Sequence, residues 1–112
     1  MASQAILESI QQYINALVRH GLPVSQVILF GSHAVGQVHK WSDIDLVVVS
    51  PRFDNNPSIT DVNLLWHTTL EVDNRIEPIA CGEKQWQEDK ITPILNVARQ
   101  EGIVIKTLAE PA

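Results

Sequence analysis

A chain of 112 residues with 45% hydrophobic residues can bury one core, which argues for a single folded domain over residues 1–112. Its net charge of −5 weighs against strong nucleic-acid binding, which needs a basic stripe, and no apolar run approaches the roughly 20 residues that cross a bilayer. A lone cysteine, Cys81, excludes an internal disulfide or a cysteine-built zinc cage, and the N-terminus lacks a signal-peptide layout, so the expected location is cytoplasmic.

The spacing of Ile6, Leu7, Ile10, Ile14, Leu17 and Val18 predicts a helix over Ser3 to His20 with one apolar stripe. Gly21 suits the left-handed position past its end, and Pro23 prevents continuation. Val24 to Phe30 reads as a short buried strand, and Gly31 to Ser42 as a loop with room for a helical turn. Asp43 to Ser50 is a second strand, apolar on both faces after Asp45 and therefore central in a sheet.

Two prolines and two adjacent asparagines mark Pro51 to Ser58 as a loop. A helix over Thr60 to Val72 is expected to turn Val62, Leu65, Trp66, Thr69 and Leu70 inward. Arg75 to Cys81 reads as a third strand, and Gly82 to Lys90 as looped or briefly helical. Thr92 and Pro93 suit the N-cap and first position of a last helix with Ile94, Leu95, Val97 and Ala98 on its apolar side. Gly102 ends it, and Ile103 to Thr107 adds a short edge strand. This alternation favours an α/β or α+β fold, helices packed on a sheet.

The chemistry gathers in FGSHAVGQVHKWSDIDLVVVS, Phe30 to Ser50. Side chains alternate along a strand, so Asp43 and Asp45 project from one side, roughly 7 Å apart along the backbone. Burying a carboxylate is costly unless it is paired or metal-bound. Two of them at a strand start can share divalent cations such as magnesium, which takes oxygen ligands and is completed by phosphate and water. Gly31 permits close approach of the backbone to a ligand, and Ser32 offers a hydroxyl and an N–H to a phosphate oxygen.

Glu77, an acid inside the apolar third strand, is the candidate third carboxylate. Duller readings stand beside these: a solvated strand start for Asp43 and Asp45, a salt bridge with Arg75 for Glu77, and helix capping for Ser32. His20 suits a helix C-terminus, His67 a helix surface, and Cys81 a core. The four histidines lack zinc-site spacing. Trp41, Trp66 and Trp86 read as packing residues, and a patch around Trp66 could contact another chain.

Gly31-Ser32, ten residues, then Asp43-Ile44-Asp45 resembles the signature of the DNA polymerase β-like nucleotidyltransferase superfamily. SDIDLVVVS, the later RIEPIAC and EGIVIK look like its minimal nucleotidyltransferase branch, over about Val24 to Lys106. The resemblance implies a mixed, mostly antiparallel sheet of three to four strands flanked by helices. It also implies two Mg²⁺ ions held by Asp43 and Asp45, with Glu77 binding the catalytic metal and helping to deprotonate the incoming hydroxyl. Gly31 and Ser32 would hold the β- and γ-phosphates of ATP or another nucleoside triphosphate.

Members of that branch are frequently paired with a small helical HEPN-type toxin and act as antitoxins, some by adenylylating a tyrosine on the partner. A short chain favours versions in which a second protein completes the site, as a homo- or hetero-oligomer. Two other functions stay open: neutralisation of a helical partner by occlusion, and service as the nucleotide-binding subunit of a two-chain transferase acting on a small molecule. The sequence departs from the family pattern at Val35, where an arginine is usual, leaving His33, His39 or Lys40 to supply charge.

Overall fold

The sheet is built around the two most apolar segments of the chain. In this computed structural model, which describes residues 3–36, 38, 42–55 and 57–105, β1 (Gln26–Phe30) pairs antiparallel with β2 (Ile44–Val49). β2 runs parallel to β3 (Ile76–Cys81), and β1 pairs antiparallel with β4 (Ile103–Ile105). The order β3-β2-β1-β4 gives a mixed, mostly antiparallel sheet of four strands, with the two apolar strands at its centre.

Helices cover both faces. α1 (Gln4–Arg19) and α3 (Ile59–Val72) supply Ile10, Ile14, Leu17 and Leu65, which pack with Val27, Leu29, Ile44, Leu46 and Val48. On the other face, Leu95 and Ala98 of α5 (Pro93–Glu101) cover Ile28, Phe30, Val47, Val49 and Cys81. Each such aliphatic side chain contributes about 1.5–3 kcal/mol by leaving water. β2 is therefore apolar in both registers because neither of its faces meets solvent. Short helices α2 (Ser32–Val35) and α4 (Glu83–Glu88) follow β1 and β3. Among the described residues no helix is long and apolar enough to cross a membrane.

Local signals explain the ends of these elements. The Ser3 hydroxyl accepts from the Ile6 N–H and caps α1. Gly21, at φ 94°, takes the left-handed turn beyond it. The Tyr13 hydroxyl donates to the Leu65 carbonyl at 2.8 Å, tying α1 to α3.

The inward side of α3 differs from the expected one. Trp66 and Leu70 are exposed, at 47% and 75%, whereas Asp61, Leu65, Thr68 and Thr69 are buried. Two of these polar groups turn inward because they have partners: Asp61 receives Arg52, and the Thr69 hydroxyl donates to the Trp66 carbonyl. Val18, Ile94 and Val97, expected on apolar faces, are also exposed. Expectations that fall on Trp41, Lys106 and Thr107 lie outside the described residues.

Candidate active site

Strand register brings the acids together. Asp45 on β2 sits beside Phe30 of β1 on one side and beside Glu77 of β3 on the other. Residues level with one another in neighbouring strands share a face, so Asp45 and Glu77 project together. Asp43, two positions before Asp45, lies just ahead of β2. The neighbouring Ile44 points the other way, fully buried beneath α1 and α3.

The electrostatics follow from this arrangement. Loss of water raises the pKa of Glu77, and the charge of Asp43, a carboxyl–carboxylate hydrogen bond with it, and the charge of Asp45 raise it further. Asp45 is likewise pushed up, first by burial and then by Asp43, with His33 pulling the other way. The salt-bridge reading of Glu77 is not what forms. Arg75 turns instead to Asp73, with Nη2 2.7 Å from one carboxylate oxygen and Nε 3.0 Å from the other. That pairing holds the Asp73 carboxyl below its usual range.

Gly31 is required at its position for a reason visible only in three dimensions. Its backbone lies at φ 77° and ψ −155°, a region essentially restricted to glycine. A β-carbon there would stand 2.4 Å from Oδ2 of Asp45. The glycine thus makes room for the Asp45 carboxylate itself, beyond any room it leaves for a ligand. Gly31 is the N-cap of α2, so Ser32, partly exposed, stands at the first helical position and not at the cap.

Val35 is 46% exposed and brings no charge to this corner. His33 is 4% exposed, with Nε2 3.4 Å from the Ser42 carbonyl oxygen. It is thus an interior residue facing Asp45 from the α2 side, a placement no sequence signal announces. His39 and Lys40 lie outside the described residues.

Among the described residues no group of three or more His, Cys, Asp or Glu side chains is already drawn in to metal-holding positions. The chemistry of the acidic face nonetheless suits a hard cation. Its donors are all oxygens, and the pKa values of Asp45 and Glu77 are raised first by loss of water and then by the neighbouring acids. An ion completed by water and phosphate needs only a few protein ligands.

The model of the nucleotidyltransferase domain family matches residues 10–106. No curated protein matches the chain. Among solved structures, a Sulfolobus solfataricus protein assigned as a nucleotidyltransferase superposes with a TM-score of 0.63 at 16% identity, covering 89% of this chain and 78% of its own. A toxin–antitoxin structure with AMP-PNP superposes with a TM-score of 0.59 at 19% identity, covering 88% and 73%. A structure of a tri-AMPylated Shewanella oneidensis HEPN toxin in complex with MNT antitoxin gives 0.55 at 15% identity, covering 91% and 73%. At these identities the likeness is one of fold.

Proposed function

The chain belongs to the nucleotidyltransferase domain family, and on that premise we propose that it transfers a nucleoside monophosphate, AMP from ATP, to a hydroxyl of a protein partner, as the antitoxin of a HEPN/MNT pair. The observation that carries this reading is the alignment of Asp45 and Glu77 across β2 and β3, beside the backbone that Gly31 opens. Similarity to the folds of toxin–antitoxin structures supports the choice of partner.

Asp43, Asp45 and Glu77 would hold two Mg²⁺ ions. When bound, these ions neutralise phosphate charge and polarise the attacking oxygen. Gly31 and Ser32 cradle the β- and γ-phosphates and orient the α-phosphorus toward the acidic face. Glu77, whose carboxylate binds a proton more readily than usual, accepts the proton of the partner's hydroxyl. The hydroxyl oxygen forms a new bond to the α-phosphorus. The bond from that phosphorus to the bridging oxygen breaks, and pyrophosphate leaves with the electron pair.

The exposed, uncharged Val35 favours a second reading, neutralisation of the partner by occlusion alone. Incubation with labelled ATP, Mg²⁺ and the candidate helical partner separates the two. Label on the partner that disappears with Asp43→Asn supports transfer. Undiminished neutralisation by that variant, with no label at all, replaces transfer by occlusion.

A further inference from the structure

α1 and α3 pack together on one face of the sheet, yet their outer surfaces differ in kind. α1 turns Gln4, Glu8, Gln11 and Asn15 to solvent, and these bond in pairs one turn apart. α3 exposes Ile59, at 76%, together with Trp66 and Leu70, while Leu65 on its inner side is fully buried. A helix that is apolar on both its inner and its outer side belongs to the enclosed kind.

The exposed residues follow a regular spacing. Ile59, Asn63, Trp66 and Leu70 are separated by steps of four, three and four, the spacing of the two seam positions of a heptad, and such a seam packs on another helix. The stripe is about 16 Å long.

The order of the four side chains selects the occupant, because the stripe is complementary to its own reverse. With a second α3 laid antiparallel, Ile59 faces Leu70 of the second copy at both ends, and Asn63 faces Trp66 of the second copy twice at the centre. Apolar groups meet apolar groups, and the indole N–H of Trp66, which needs an acceptor once enclosed, meets the amide oxygen of Asn63. Parallel pairing would instead force two Trp66 rings into one layer.

Charge does not oppose the antiparallel pairing, although the chain carries −5. Thr60, Val62, His67 and Thr69, which flank the stripe, include no carboxylate. Asp61 is turned inward to Arg52, and Glu71 is held by His20. Antiparallel packing also sets the positive end of each helix beside the negative end of the other.

We infer that the outer face of α3 is a homodimer seam, on which a second copy of this chain packs antiparallel about a two-fold axis between Asn63 and Trp66. The inference is independent of the transfer reading. Such an interface is small, below about 1,200 Å² in total, so a Kd of about 10–100 µM is expected.

Sedimentation equilibrium of the full chain over about 5–500 µM, a range that brackets this constant, tests the seam. Wild type is expected to pass from monomer to dimer. Ile59→Glu and Leu70→Lys are each expected to weaken the dimer about tenfold or more, because a charge enclosed against an apolar neighbour is costly. Both positions are exposed, so the melting temperature of the monomer should hold. The double variant is expected to regain much of the affinity, since the register sets each introduced carboxylate opposite an introduced ammonium group.

A wild-type monomer at every concentration overturns the homodimer, and loss of a complex with a helical partner in Leu70→Lys would then give the stripe to that partner. A dimer untouched by both single changes also overturns it. Single variants that weaken the dimer with no recovery in the double variant overturn the antiparallel register.

Discussion

Where β2 and β3 end, the acids have partners: Arg52 donates to Asp61 at 2.7 Å, and Asp54 accepts from the Lys84 backbone N–H. Behind these strands, Arg99 lies 4.6 Å from the Trp86 ring centre and donates to that residue's carbonyl. Where the same strands begin, Asp43, Asp45 and Glu77 stand near one another, and loss of water, reinforced by the neighbouring acids, makes Asp45 and Glu77 bind protons more readily than usual. At that end Arg75 pairs with Asp73, and among the described residues no ion pair reaches these acids. Like charges held together destabilise a fold, so the contrast separates the end that stabilises the chain from the end where chemistry is proposed.

The largest effect that could break this comparison is on activity. Asp45→Asn should lower label transfer by about a thousandfold, since charge stabilisation by a catalytic metal amounts to several kcal/mol, while the melting temperature holds or rises. A melting temperature that falls sharply would make Asp45 a structural residue. Gly31→Ala should harm both ends of the account. It forces a glycine-only backbone conformation and a clash with Asp45, costing about 2–3 kcal/mol in urea unfolding together with most of the transfer.

At the opposite end, Arg52→Ala strands the Asp61 carboxylate, whose side chain is only 10% exposed. It should cost about 2 kcal/mol with transfer kinetics intact; a comparable loss of transfer would erase the division between the ends. The Asp73–Arg75 pair gives a pH signature. Because the folded-state pKa of Asp73 is lowered, its contribution is complete above the unfolded carboxylate value and disappears as pH falls through the folded one. Urea midpoints of wild type should therefore drop toward those of Asp73→Asn in acid; curves that stay parallel would contradict the lowered value. The smallest effect belongs to Glu77→Gln. Removing one of the crowded charges should raise stability without metal by up to about 0.5 kcal/mol, readable as a small upward shift in melting temperature.

Most of the secondary structure is legible in local pattern. The stripe from Ile6 to Leu17, the Val-rich β2 and the Thr92-Pro93 start of α5 each sit within a residue or two of the expected bounds. The facing of α3 was legible only in part: Leu65 and Thr69 turn inward as expected, but Asp61 looks like a surface residue until Arg52 receives it, and Trp66 and Leu70 stay exposed. Asp43 and Asp45 could be placed on one side by strand alternation alone. Arg75 was a reasonable partner for Glu77 from its spacing, and only the turn from Asp73 to Arg75 diverts it. His33, which the sequence offers as a source of charge, is buried by the fold beside the Ser42 carbonyl, a placement that depends on segments distant from it.

The sequence by itself determined the order of helices and strands and the pairing of a Gly-Ser corner with an Asp-x-Asp strand start, because hydrophobic period, capping and turn chemistry act between residues close along the chain. Which acids meet was decided by the tertiary structure. The register of β3 against β2 sets Glu77 beside Asp45, and the antiparallel return of β1 sets Gly31 against the same carboxylate. Register follows from which side chains the two covered faces must bury, a condition that belongs to the whole sheet and to no single segment.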